Sequence, residues 1–269
     1  MRKIVLLITC ILYSLFSFSQ KLNCDGYKMV SSVVIYDYGV FGDTTRINVS
    51  YGYDSNKNLK SVRVISEDED INVVKDGNKL ISDLYVYALD EYGRIVLKEI
   101  KYDIGNDLVK KWTRYFYEGD VLSYISRQQF VKRCGKWYPS HDIYYLNFGY
   151  FNDDCYWEKS HSSNFNVSGE REYYDNKVRF CDGKYGDIIN DMNINPNLFL
   201  SMLCWEICLD VHEFELSTEW CGMRSEHILE NENGFHIETI KDKNGNICEM
   251  LTRYTNGNVF RKISINYVR

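Results

Sequence analysis

Six times along this chain a turn built from Asp, Glu or Asn with Gly or Asn runs directly into an aliphatic residue, usually with tyrosines leading into it. No other feature narrows the fold as much. The copies are Tyr51 and Tyr53 with Asp54, Asn58 and Leu59; Tyr85 and Tyr87 with Asp90, Gly93 and Ile95; and Tyr115 and Tyr117 with Glu118, Gly119 and Val121. Three more are Tyr173 and Tyr174 with Asp175, Asn176 and Val178; Asp242 with Gly245 and Ile247; and Tyr254 with Asn256, Gly257 and Val259. Each has the chemistry of a β-hairpin: the acid or amide bonds its own turn, Gly or Asn takes the left-handed backbone position, and the aliphatic residue starts the return strand. Tyr53, Tyr87 and Tyr117 stand 34 and 30 residues apart, about two strands with their loops. That spacing predicts a meander of hairpins rather than a Greek key.

The segments between the turns alternate as strands should. Ile47, Val49, Tyr51 and Tyr53 point one way, with Arg46, Asn48, Ser50 and Gly52 the other. Residues 143–151 are aromatic on both faces and predict a central or covered strand, while Glu67 to Asp70 predicts a solvated hairpin tip. The pattern changes once. After Asn195 and Pro196, the residues Leu198, Met202, Trp205 and Leu209 recur at helical spacing, so one amphipathic helix is expected over 197–210, capping the sheet. The expected fold class is therefore mainly β: an antiparallel meander of repeated hairpins forming an extended sheet, with one short helix. With 23 tyrosines and two prolines, the rings are expected on half-exposed sheet surfaces with their hydroxyls wet.

Residues 1–19 have the three parts of a secretory signal peptide. Arg2 and Lys3 give the positive start, Ile4 to Phe16 the apolar run, and Ser17 and Ser19 the small residues before a cut ahead of Gln20. A lipoprotein anchor would need a cysteine at the cut; Cys10 comes too early and Cys24 too late. Residues 20–269 are expected as a single exported β-repeat domain with no membrane span, in the periplasm, on the cell surface or secreted. Without Arg2 and Lys3 the chain keeps 30 basic against 38 acidic residues, a formal charge of −8, which argues against nucleic acid and anionic membrane surfaces as partners. Eight cysteines remain after Cys10 leaves, and an even count in an exported chain predicts disulfides. Zinc is the alternative, although the chain lacks a C-x-x-C pair and a His at ligand spacing.

The turns around Asp54, Asp90 and Asp242 resemble YD-type repeats. With Asn193 to Leu200, Met223 to Leu229 and Ile237 to Tyr254 in that order, the chain looks like a group of exported bacterial β-proteins of unknown function, in which hairpins are followed by a helix and a closing hairpin pair. The resemblance implies an extended sheet in the envelope and carries no catalytic residues with it. The chain departs from that pattern in its cysteine load and its scarcity of proline.

Catalytic signatures are absent from the sequence: no G-x-S-x-G, no phosphate-binding glycine loop, no H-E-x-x-H among the five histidines. Glu170, Glu172, Glu213 and Glu215 could supply a carboxylate pair for glycoside hydrolysis, as any acidic chain could. Asp153, Asp154, Asp242, Asn244 and Asn246 could offer oxygens to calcium, but the turn reading accounts for the same residues. No cofactor is implied. The feature that stands out is aromatic density between Trp112 and Trp157. Such rings either bind a glycan or peptide or form cross-strand pairs that hold a thin sheet together. Trp137, Tyr138 and Trp157 are the candidate binding residues, because Gly135, Pro139 and Asp153 place them beside turns. The expected function is a non-catalytic binding or adhesion module for glycan or protein, the alternatives being a secreted enzyme acting on polysaccharide or a purely structural repeat protein.

Overall fold

The computed structural model describes residues 26–39, 43–67, 69–104, 107–139, 143–151, 154–165, 171–172, 176–179, 184–200, 213–222, 225–232 and 234–269, with backbone alone between 143 and 179. The expected signal peptide, Cys24 and most of the expected helix lie outside these residues. Among the described residues nineteen strands carry the fold. The first nine are β1 (Val30–Tyr38), β2 (Thr44–Tyr53), β3 (Leu59–Ile65), β4 (Asp70–Asp76), β5 (Lys79–Ile81), β6 (Val86–Leu89), β7 (Ile95–Ile104), β8 (Asp107–Glu118) and β9 (Val121–Arg133). Then follow β10 (Lys136–Pro139), β11 (Ile143–Phe151), β12 (Asp154–Phe165), β13 (Arg171–Glu172), β14 (Asn176–Arg179) and β15 (Lys184–Ile189). The last four are β16 (His227–Glu232), β17 (Phe235–Lys241), β18 (Ile247–Arg253) and β19 (Val259–Tyr267).

All the ladders are antiparallel, and the meander expected from the turns is present. Each strand from β1 to β9 pairs with the next, the order continues through β11, β12 and β14, and a second run leads from β15 to β19. The first strand pairs with the last, Val33 opposite Ile265 and Ile35 opposite Ile263, which joins the two runs into one sheet. Strand β11 is central, between β9 and β12, as its two-faced apolar pattern predicts.

Five of the six turns lie between consecutive strands, and the one at Asp175 lies outside the described residues. In the Asp54 turn the left-handed position is taken by Lys57, with φ of 63°, instead of the expected Gly or Asn. The Asp54 carboxylate accepts from the amides of Asn56 and Asn58 at 2.8 and 2.9 Å, and Asp242 does the same for Asn244 and Asn246. Gly93, Gly245 and Gly257 hold φ of 83°, 80° and 86°, where a side chain would be strained. The same bonds account for Asp242 and Asn246 as turn residues.

The burial pattern shows which face turns inward. Val49, Tyr51, Val62, Ile71, Val73, Leu80 and Tyr87 form one continuous core, while Arg63, Asp70, Asn72 and Lys79 face water. What fills the inward face is the connection between β15 and β16, and this corrects the expectation of a thin sheet. Met192, Ile194, Leu198, Phe199, Leu216 and Trp220 are all buried against the strands. Asn193 accepts the Val30 amide at 2.8 Å and donates to the Tyr53 hydroxyl at 2.8 Å; Glu219 accepts the Leu59 amide; the Trp220 carbonyl accepts the Ile95 amide. Arg261 on β19 donates to the Phe199 carbonyl at 2.7 Å and to Asp37 on β1 at 2.9 Å.

Of the expected helix, Asn197–Leu200 is described, and a second short helix spans Glu213–Leu216. Asn195 caps the first as its sequence predicts, accepting the Asn197 amide at 3.2 Å. All four residues of that helix are buried, so it is part of the interior and not a surface cap. Asn197 is bonded on both sides to β16, donating to the His227 carbonyl and accepting from the Leu229 amide.

One further expectation is corrected. Tyr51, Tyr85, Tyr87 and Tyr115 are buried, and the hydroxyls of Tyr53, Tyr117 and Tyr267 donate to backbone carbonyls of Val30, Ile95 and Ile247 instead of pointing at solvent. Among the described residues Cys134, Cys221 and Cys248 are free thiols. Cys134 sits exposed in the β9–β10 turn and Cys221 deep in the core, too differently placed to meet.

Candidate functional site

Two clusters of polar and aromatic side chains stand out, one on each face of the sheet. On the inward face Glu215 is 1% exposed and Lys98 2%. One Glu215 oxygen accepts from Lys98 at 2.6 Å and from the Tyr87 hydroxyl at 2.7 Å, and the other accepts from the Tyr115 hydroxyl at 2.8 Å. The Lys98 ammonium also lies 4.0 Å from the Tyr85 ring centre. Burial, reinforced by the Glu215 charge, pushes the Tyr87 and Tyr115 hydroxyls and the Cys221 thiol well above their ordinary values. The carboxylate considered for glycoside hydrolysis is thus held by three donors in the core, where it ties the interior segment to β6, β7 and β8.

The second cluster is on the outward face. Along β8 the residues Val109, Thr113 and Tyr115 turn one way, so Lys110, Trp112 and Arg114 turn the other. Phe130 faces Lys110 across the β8–β9 ladder, and the β9–β10 hairpin sets Trp137 beside Lys132 on the same face. Trp112 and Phe130 meet edge to face at 4.8 Å. The Lys110 ammonium lies between the rings, 4.0 Å from Trp112, 4.5 Å from Trp137 and 5.4 Å from Phe130. Burial draws the Lys110 pKa below its ordinary value. Glu99 on β7 accepts the Trp112 indole N–H at 2.5 Å and pairs with Lys101 at 2.7 Å. Burial alone would raise the Glu99 carboxyl; the bonds from Lys101 and Trp112 hold it below its ordinary value. Farther along the same two strands Phe116 and Tyr124 stack at 4.2 Å. The result is a fixed aromatic box with cations on its rim.

Of the three candidate residues, Trp137 is in this box. Tyr138 pairs with Val131 on the opposite face and is 48% exposed. Trp157 pairs with Phe148 in the β11–β12 ladder, two strands from β9, and its side chain lies outside the described residues. Lys110 and Phe130 were not singled out by the sequence reading, yet a signal existed: cations alternate with aromatics at every second position along Lys110, Trp112, Arg114 and Phe116. Among the described residues no group of three or more His, Cys, Asp or Glu could hold a metal ion.

No protein-family model and no curated protein matches this chain. Its fold is similar to that of solved porin-like proteins. One, from Bacteroides vulgatus ATCC 8482, is 11% identical with a TM-score of 0.53, over 90% of this chain and 99% of that one. Another, from Bacteroides uniformis ATCC 8492, is 13% identical with a TM-score of 0.53, over 89% and 98%. At such identities the likeness is one of fold, a nearly all-antiparallel sheet running the length of the chain.

Proposed function

We propose that this chain is an exported, non-catalytic binding module of the bacterial envelope that takes a glycan or protein ligand on the outward face of β8, β9 and β10. The observation that carries this reading is the box of Trp112, Phe130 and Trp137 around Lys110. Its rings are held in place before any ligand arrives, so binding would order few side chains. The signal peptide and the fold likeness to porin-like proteins support an envelope location. Among the described residues the inward face is packed with buried side chains, and Arg63, Asp70, Asn72 and Lys79 point outward where a membrane-spanning barrel carries an apolar band, which supports a binding module over a pore.

The test is thermal unfolding of the mature protein against panels of soluble polysaccharides and peptides. A ligand at about a hundredfold over its Kd stabilises the folded state by about 2.7 kcal/mol. One ligand class is expected to raise the midpoint, and Trp137→Ala to cancel the rise. A rise that survives both Trp137→Ala and Trp112→Ala would refute the box as the site.

A further inference from the structure

Four of the turns share one backbone design, and one of them breaks its side-chain rule. In three, an Asp at the first position holds the side chain at the fifth. Asn58 donates to Asp54 at 3.0 Å, Arg94 to Asp90 at 2.8 Å, and Asn246 to Asp242 at 3.1 Å. The turn between β18 and β19 keeps the backbone bonds, Tyr254 N–H to the Asn258 carbonyl and Gly257 N–H to the Tyr254 carbonyl, both 2.9 Å. Its first residue is Tyr254, so Asn258 has no carboxylate to hold. Asn256 replaces the lost backbone support, its Oδ1 accepting the Asn258 amide at 3.0 Å. Among the described residues, the Asn258 side-chain amide and the Asn256 side-chain N–H groups are left uncommitted.

These two amides open onto a cleft of about 650 Å³, bounded also by Tyr38, Tyr254, Leu251 and Lys262. That volume falls in the range of roughly 300–1,000 Å³ typical of small-molecule sites. Strand pairing explains how the lining meets: β19 lies between β1 and β18, with Lys262 opposite Tyr36 on one side and Leu251 on the other. The neighbouring Arg261 reaches inward to Phe199, so the cleft opens on the outward face. Tyr254 is a fixed wall, its ring packed 5.5 Å from Phe235 and 5.4 Å from Phe260. The Lys262 charge is answered by Glu249 at 2.5 Å, and among the described residues no carboxylate lines the cleft. The site therefore offers aromatic walls, amide donors and acceptors, and no unbalanced charge.

We infer that this cleft binds an uncharged saccharide ring, walled by Tyr38 and Tyr254 and hydrogen-bonded through its hydroxyls by Asn256 and Asn258. Side-chain amides can donate and accept at neighbouring hydroxyls, and a ring face lies on an aromatic wall at little entropic cost. The site stands on β1, β18 and β19, apart from the box on β8 to β10, and does not depend on it.

Isothermal titration of the full mature protein with cellotetraose, mannotetraose and tri-N-acetylchitotriose tests this. Binding of at least one is expected. Asn258→Ala should weaken it about tenfold, the loss of one good hydrogen bond. Tyr254→Asp restores the Asp–Asn pairing of the other turns while removing a wall, and should abolish binding with the circular dichroism spectrum unchanged. Trp137→Ala should leave it intact. No heat from any of the three sugars at millimolar concentration would overturn the inference. So would binding that both Asn258→Ala and Tyr254→Asp retain, or binding lost only in Trp137→Ala, which would place the sugar in the Lys110 box instead.

Discussion

Glu215 joins an interior helix to three strands, because Tyr87, Lys98 and Tyr115 stand side by side on β6, β7 and β8. A buried ion pair adds little over a well-packed apolar core, but removing one partner strands the other charge in low dielectric. Glu215→Gln is therefore expected to destabilise the protein by about 3–5 kcal/mol in urea unfolding. Adding Lys98→Met should recover part of that loss, and a double-mutant cycle with no coupling would show that the pair is not what the geometry indicates. The free thiols make a second prediction at this scale. An alkylating reagent should modify Cys134 in the folded protein and reach Cys221 only after unfolding, since Cys221 is fully buried and its thiol is held protonated by burial and the Glu215 charge.

At the scale of the element, two of the hairpin turns are held by carboxylates whose folded-state pKa is lowered. For Asp54 the Asn58 side chain is the main cause; for Asp242 the main cause is the Asn246 backbone amide. A carboxylate with a lowered folded pKa contributes stability that is fully present above its unfolded value near about 4 and is lost as pH falls through the folded value. The unfolding midpoint should accordingly drop on acidification below about pH 4, and the Asp54→Asn/Asp242→Asn variant should show a shallower drop while keeping its turn acceptors. An equal acid slope in the variant would assign the effect to other carboxylates, Asp70 beside Arg63 among them.

For the whole molecule, one core joins strands from both ends of the chain to the 190–222 connection, and β1 with β19 closes the order. Removing an interior side chain far from either terminus should weaken everything together. Phe199→Ala, at a fully buried position, is expected to cost about 3–5 kcal/mol. It should shift far-ultraviolet and tryptophan-fluorescence transitions equally, as a single cooperative unit requires. Separate transitions would mean that the sheet folds without its interior segment.

The sequence by itself determined the local structure: the turns at Asp54, Asp90 and Asp242, the inward set of Val49 and Tyr51, the central character of β11, and the Asn195 cap. Each depends on residues a few positions apart, where turn chemistry and the two-residue period act without reference to the rest of the chain. Only the tertiary structure decided what covers the inward face. Whether Leu198 and Phe199 pack outside a sheet or fill it depends on how far the strands curl and on β1 meeting β19, more than 200 positions apart. The burial of Lys98 follows from the same closure, because a lysine at an inward position is tolerated only where Glu215 arrives from 117 residues away to balance it. The Lys110 box and the cleft beside Tyr254 were decided there too, since each takes its side chains from three strands and the periodicity of any one strand does not name its neighbours.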